Sequence, residues 1–270
     1  MSDQASQKIP GVKYIIAVGS GKGGVGKSTV AVNLACSLLQ EGHRVGLLDA
    51  DIYGPSIPMM MGVLGEEPKV NSEGKIAPIL AHNLKTMSIG FIAKETQAII
   101  WRGPMIHKML DEFLSRVEWG NLDYLIVDLP PGTGDAQLSL SQLIPLTGAV
   151  VVTTPQEVAL ADVRRAVEMF KKVHIPLLGV IENMSSYVCR KCGDEVDIFS
   201  SGGGEKAAKF WETPFLGAIP LVVDVRKGGD AGVPIMISDP RSPISESFRN
   251  AARNLSNVLV ESSSLKIIKE

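Results

Sequence analysis

The amino-acid sequence predicts an α/β domain built on a doubly wound, mostly parallel sheet. Three observations carry that prediction. Short, almost continuous apolar runs recur along the chain, and such runs suit strands covered on both faces. Between them lie longer segments with apolar residues at helical spacing. The first run passes straight into a glycine-rich turn and then a helix, the place where parallel α/β sheets receive anions. With 270 residues, 45% hydrophobic and 21% charged, the chain can bury a sizeable core and is not a disordered polymer.

The elements follow in order. Tyr14 to Val18 is the first buried strand, Gly19 to Gly26 the glycine-rich stretch, and Lys27 to Gln40 a helix with Val30, Leu34, Leu38 and Leu39 on one face. Gly42 stands where a glycine commonly ends a helix. Arg44 to Leu48 is the next strand, ending in Asp49-Ala50-Asp51. Strand, loop, helix, strand is one βαβ unit, which implies parallel pairing. From Tyr53 to Gly103 the pattern is irregular, with short strand character near Lys85 to Ile89. Helices are expected at Pro104 to Arg116, Asp135 to Leu146, Ala159 to Val173, Gly204 to Trp211 and Ile244 to Val260. Strands are expected at Tyr124 to Leu129, Ala149 to Thr154, Leu177 to Asn183 and Phe215 to Ile219. No repeat or linker interrupts this order. The expected organisation is a flexible N-terminus over residues 1–12, one domain over 13–262 with a cysteine-bearing loop near 184–199, and a frayed tail over 263–270.

Composition excludes several classes. The 27 basic and 29 acidic side chains leave a net charge of −2, a poor match to a dedicated nucleic-acid binder. Three cysteines cannot build a disulfide framework and suit a reducing compartment. The polar N-terminus lacks a signal-peptide core, and no apolar run reaches the length of about 18 residues needed to span a bilayer. The expectation is a cytoplasmic protein.

Gly21-Lys22-Gly23-Gly24-Val25-Gly26-Lys27-Ser28 matches the phosphate-loop pattern G-x-x-x-x-G-K-[ST] in its required setting of strand before and helix after. Glycines let successive N–H groups turn toward phosphate oxygens. Lys27 reaches the β- and γ-phosphates, and the Ser28 hydroxyl ligates Mg²⁺. The expected nucleotide-binding set is residues Gly21 to Ser28 together with Thr29. Asp128 closes the Tyr124 strand, where a carboxylate can hold Mg²⁺ through its waters. Asp49 and Asp51 stand at another strand end, and Asn183 ends the Leu177 strand. An Asx-turn residue is the lesser alternative for Asn183. Cys36 lies on the apolar helix and reads as core.

Cys189-Arg190-Lys191-Cys192 is a C-x-x-C pair. Alone it could be redox-active, half of a zinc site or a chance spacing. A centre held only by cysteines takes four, so two must come from elsewhere. A twofold dimer supplies them. Met59-Met60-Met61 reads as core or loop packing, with a soft partner surface as the other possibility.

These motifs resemble a known family. The second lysine in the loop, Lys22, marks the deviant Walker A ATPases, which include the MinD and ParA partitioning proteins, the nitrogenase iron protein and the Mrp/ApbC iron–sulfur carriers. The resemblance implies a MinD-like P-loop fold, ATP hydrolysis that is Mg²⁺-dependent and slow, and a homodimer in which Lys22 contacts phosphate across the interface. It implies that Asp51 is the water-activating carboxylate, that Asp49 supports the Mg²⁺ shell, and that Asn183 meets the adenine edge. The segment Leu129 to Asp135 (with Asp128, DLPPGTGD) resembles switch II, and DADIYGPSIP resembles switch I. With the Cys189/Cys192 pair these segments are similar to the Mrp/ApbC group over nearly the whole chain. That similarity implies a labile [4Fe–4S] cluster bridged by Cys189 and Cys192 of two subunits, and delivery to apo iron–sulfur proteins. Neither nucleic acid nor membrane is an expected partner. The N-terminal four-cysteine motif of some relatives has no counterpart here, so a second cluster is not expected. Trp101-Arg102-Gly103-Pro104 recurs in the group without an assigned role beyond a turn into a helix. The alternative is a partitioning or positioning ATPase with structural zinc or no metal. A reductase like the nitrogenase iron protein fits less well, because its bridging cysteines are far apart in sequence.

Overall fold

The computed structural model describes residues 9–92, 103–189 and 191–267. Seven strands run parallel: β1 (Val12–Ser20), β2 (Val45–Asp49), β4 (Leu84–Ser88), β5 (Leu122–Asp128), β6 (Gly148–Thr153), β7 (Leu177–Val188) and β9 (Phe215–Leu221). Their spatial order is β4-β2-β5-β1-β6-β7-β9. Two short strands pair antiparallel, β3 (Ile79–Ala81) outside β4 and β8 (Glu195–Val196) on the far end of β7. β1 therefore sits at the centre, and the chain leaves it in both directions across the sheet. Ligands bind at such a reversal, beyond the carboxyl ends of the strands.

Alternate residues of β1 feed two cores, as the pleat requires. Ile16 and Val18 join one with α1 (Lys27–Gln40) and α9 (Pro243–Ile267), through Val30, Leu34, Phe248 and Leu255. Ile15 and Ala17 join the other with α3 (Gly103–Ser115), α4 (Asp135–Leu143) and α5 (Glu157–Lys172), through Phe113, Leu140, Val167 and Phe170. α1 is buried on almost every side because α9 covers the face turned away from the sheet. Among the described residues no helix is long and apolar enough to cross a membrane.

Several expectations change. β7 does not stop at Asn183; it continues to Val188 and folds back as a hairpin with β8. The cysteines thus lie in the short turn of a hairpin, between the end of β7 and the start of β8, rather than in a long free loop. Among the described residues Ile9 is already buried, so residues 9–12 are not a loose segment. α9 runs to Ile267, past the expected end at Val260 and into the tail expected to fray, because Glu261 to Ile267 contains no Gly or Pro to stop it. Between residues 53 and 91 the chain forms α2 (Ile57–Met60), β3, β4 and a 3₁₀ turn at Ile89–Phe91. Two further helices, α7 (Val223–Asp230) and α8 (Ile235–Ser238), fill a segment without helical periodicity. Trp101 and Arg102 lie outside the described residues.

Phe248 is buried at the α1–α9 contact, whereas Phe210, at the end of α6 (Gly203–Phe210), is 76% exposed. Urea unfolding of Phe248→Ala is expected to show a loss of about 3–5 kcal/mol. Phe210→Ala should stay within about 0.5 kcal/mol of the parent.

Candidate functional site

The phosphate loop is fixed at both ends by its neighbours. The Ser20 hydroxyl donates to the Lys22 carbonyl at 2.9 Å, and Gly132 N–H donates to the Ser20 carbonyl at 2.9 Å. The second bond ties the loop after β5 to the start of the phosphate loop. Gly26 has φ +81°, and a Cβ there would lie 2.2 Å from Asn183 Nδ2. Only glycine meets both demands. The approach is close because Asn183 Nδ2 donates to the Val25 carbonyl at 2.8 Å. Asn183 therefore braces the loop, and it also lines a cavity beside it.

That cavity has a volume of about 450 Å³ and is walled by Gly26, Thr29, Met60, Asn183, Met184 and Pro220, among others. Its size is that of a small-ligand pocket. The methionine run divides: Met61 is buried, Met60 lines the cavity and Met59 is 48% exposed. Part of the run is packing, and part faces the pocket or solvent.

Beyond the strand ends lies a buried charge cluster. Parallel register sets Asp49 beside Asp128. Lys27, itself buried, places Nζ 2.6 Å from Asp128 Oδ1, 3.5 Å from Asp51 Oδ2 and 3.2 Å from Ser28 Oγ. Asp49 accepts from Asp51 N–H at 3.1 Å, Ile57 N–H at 3.2 Å and Ser88 Oγ at 2.9 Å. Asp51 also accepts from Tyr53 N–H at 3.3 Å. Burial, followed by the charge of Asp128, pushes the Asp49 carboxyl up to about 7, against the pull of Ser88, Asp51 N–H and Lys27. Burial likewise raises Asp128, with Lys27 opposing. Asp128 Oδ2 is buried and makes no hydrogen bond among the described residues. Three carboxylates thus share one ammonium. A divalent cation would fit this excess of negative charge and the orphaned oxygen when a bound phosphate supplies further ligands. Asp49 spends both oxygens on protein donors, so its visible work is to hold the segment after β2 in place.

Lys22 is half-buried in the loop, and Cys36 is buried in the core with its thiol pushed up to about 12. Cys189 and Cys192 lie apart from the charge cluster, at the tip of the β7–β8 hairpin. Cys189 N–H donates to the Asp194 carbonyl at 2.9 Å, and Gly193 N–H donates to the Cys189 carbonyl at 2.8 Å. The Cys192 thiol donates to Asp194 Oδ2 at 3.3 Å. Backbone N–H groups of Cys192 and Lys191, with the Cys192 side chain, lower the Cys189 thiol. Cys189 is half-buried and Cys192 exposed. A lowered, accessible thiol is suited to metal ligation. Among the described residues no group of three or more His, Cys, Asp or Glu could hold a metal ion by itself. The pair supplies two thiols and no third ligand among the described residues.

Two participants escaped the sequence reading. Ser88 steadies Asp49, and the buried Glu182 accepts N–H groups from Gly202 and Gly204 at the start of α6. Met184, with φ +57° inside β7, marks where β7 changes register against β9.

The raised Asp49 carboxyl has a thermodynamic consequence. Between about pH 4, where an unfolded aspartate titrates, and about pH 7 the folded chain binds a proton that the unfolded chain releases. Stability therefore falls as pH rises through that window. Thermal unfolding without Mg²⁺ should give a higher midpoint at pH 5 than at pH 7. Asp49→Asn should flatten the dependence, and an unchanged slope would refute the assignment.

Residues 11–256 match the family model described as ParA, NUBPL iron-transfer P-loop NTPase. A protein from Aquifex aeolicus named iron-sulfur cluster carrier protein is 54% identical over 254 residues, covering 94% of this chain and 70% of the relative. One of the same name from Escherichia coli K12 is 52% identical over 244 residues, covering 90% of this chain and 66% of the relative. Among solved structures, the ADP complex of a nucleotide-binding protein from Archaeoglobus fulgidus has a TM-score of 0.77 and 39% identity, covering 89% of this chain and 94% of that one. The cell-division ATPase MinD of Pyrococcus furiosus, at 23% identity and a TM-score of 0.67 over 91% of this chain and 99% of that one, shares the fold. The phosphate loop, the carboxylates at the strand ends and the match over most of its length show that this chain belongs to the ParA family, as an NUBPL-type iron-transfer P-loop NTPase.

Proposed function

We propose that this chain is an ATP-hydrolysing carrier that holds a [4Fe–4S] cluster between two subunits and delivers it to apoproteins. The observation that carries the reading is the cysteine hairpin. It presents two thiols, one lowered, in the turn that follows the strand whose Asn183 braces the phosphate loop. Two such hairpins across a twofold axis supply the four thiolates the cluster takes. Val188, Val196 and Ile198, all partly exposed around the hairpin, supply apolar surface for that contact. Separating the subunits would halve the ligand set, which suits a cargo meant to leave. The similarity to iron-sulfur cluster carrier proteins favours this reading over a partitioning ATPase. Sparse cysteine use is in keeping with a cytoplasmic, reducing setting.

Hydrolysis follows from the charge cluster. The phosphates lie along the loop N–H groups and the start of α1, and the base side of ATP takes the cavity next to Asn183. Lys27 exchanges its carboxylate partners for the β- and γ-phosphate oxygens. Ser28 and Asp128 would hold Mg²⁺, with Asp49 supporting the arrangement from behind. Mg²⁺ supplies charge neutralisation on the phosphates when bound. Asp51 orients a water whose oxygen bonds to the γ-phosphorus while the bond to the β–γ bridging oxygen breaks. The work of Asp51 is positioning, and the proton of the water leaves on a phosphate oxygen. Lys22 of the second subunit offsets charge on the transferring phosphoryl group.

Anaerobic reconstitution with iron and sulfide tests the cargo. About four irons per dimer are expected, with dimer mass by light scattering. Cys189→Ala and Cys192→Ala should each abolish the cluster. Tight zinc and no iron would defeat the carrier reading and promote the partitioning one. Lys22→Ala should lower ATP turnover by about 10²–10³-fold while iron content per dimer stays unchanged. Unaltered turnover would remove Lys22 from the active site.

A further inference from the structure

A second concavity, of about 960 Å³, lies between α4, α5 and α6 and shares no residue with the cavity at the phosphate loop. Its apolar lining includes Leu138, Met169, Ala207 and Trp211. Phe210 stands beside them, 76% exposed. Its ring meets that of Trp211 edge-on, with centroids 5.8 Å apart. Among the described residues, this floor is surrounded by Arg164, Arg165, Lys172 and Lys206, with Glu168 as the one acid. Arg164, Lys172 and Lys206 are exposed and form no ion pair among the described residues. A chain of net charge −2 thus concentrates cations around an exposed aromatic side chain. At one edge the groove includes Thr133, from the loop that is bonded to the phosphate loop through Gly132.

We propose that this groove is a docking site for an acidic segment of a partner protein, with an aliphatic or aromatic anchor residue that packs against Phe210 and Trp211. The cations select carboxylates and speed encounter. The aromatic pair and its apolar floor provide the desolvated centre on which binding energy concentrates. A single-stranded nucleic acid fits less well. It needs a cationic track with successive stacking platforms, whereas here two rings meet edge to face and the cations ring one pocket. The inference does not draw on the carrier reading, because neither the cysteine hairpin nor the nucleotide pocket contributes to the docking contacts.

The test uses the full chain and fluorescence anisotropy. The probe is a labelled peptide of alternating glutamate and leucine with one central tryptophan. Saturable binding that weakens with added salt is expected. Phe210→Ala and the double change Arg164→Glu with Lys206→Glu should each weaken it about tenfold or more. A peptide with lysine in place of glutamate, and one with serine in place of the apolar residues, should not saturate. The proposal is overturned if the acidic probe fails to bind, if the variants bind it like the parent, or if an oligothymidine binds the groove more tightly. It is also overturned if sedimentation shows that Phe210→Ala only dissolves a self-association. Phe210 and the two cations are on the surface, so thermal midpoints should match the parent. Cluster content and ATP turnover of the variants, measured without peptide, should be unchanged. Loss of docking is thereby distinguished from failure of the carrier function.

Discussion

The buried contact of Lys27 with Asp128 is the constraint on which the rest of the molecule depends. An ammonium and a carboxylate withdrawn from water need each other, and removing one partner of such a pair costs about 3–5 kcal/mol. Two further carboxylates share the same small volume. The fold makes this possible by ending β1, β2 and β5 at one level, so that their loops converge on a single point. Backbone donors and Ser88 then absorb the oxygens of Asp49, and one oxygen of Asp128 is left over. Phosphate and a divalent cation would resolve what the protein alone leaves unbalanced: one would offer anions to the lysine, the other a positive charge to the acids. The site's polarity is thus a property of strand register before it is a property of any ligand.

β7 extends this order outward. Over twelve residues it contributes Glu182 to the start of α6, Asn183 to the phosphate loop, Met184 to the nucleoside-sized cavity and the approach to Cys189. A single strand joins the residue that braces the loop to the residue before the first thiol. A displacement at Val25 has a short, hydrogen-bonded path to the hairpin. The kink at Met184 is the one place along that path where the strand departs from regular geometry.

Much of this was legible in the sequence, for a physical reason. The phosphate loop, its preceding strand and its following helix are contiguous, so motif and context can be read together. The strand-end aspartates are legible because short buried strands announce their ends by a change from apolar to acidic residues. The far half of β7 is not, since Met184-Ser185-Ser186-Tyr187 lacks an apolar run, and its pairing partner β8 is only two residues long. α7 contains Gly228 and Gly229, which erase the helical signal. Ser88 and Glu182 act across tens of residues, and neither spacing nor type singles them out. The groove between α5 and α6 is a juxtaposition of two helices, each unremarkable alone.

The hairpin tip carries one more consequence. A thiol lowered by neighbouring N–H groups and standing beside a second accessible thiol is well placed for metal, and equally well placed for peroxide. Attack of the Cys189 thiolate on a peroxide oxygen leaves a sulfenic acid, and the Cys192 thiol can displace its hydroxyl as water to close a disulfide. While unligated, the two sulfurs are accessible thiols at the surface, and their capacity to bind metal is open to loss by oxidant. Capacity lost in this way returns on treatment with a thiol reductant, whereas capacity lost to further oxygenation of Cys189 does not.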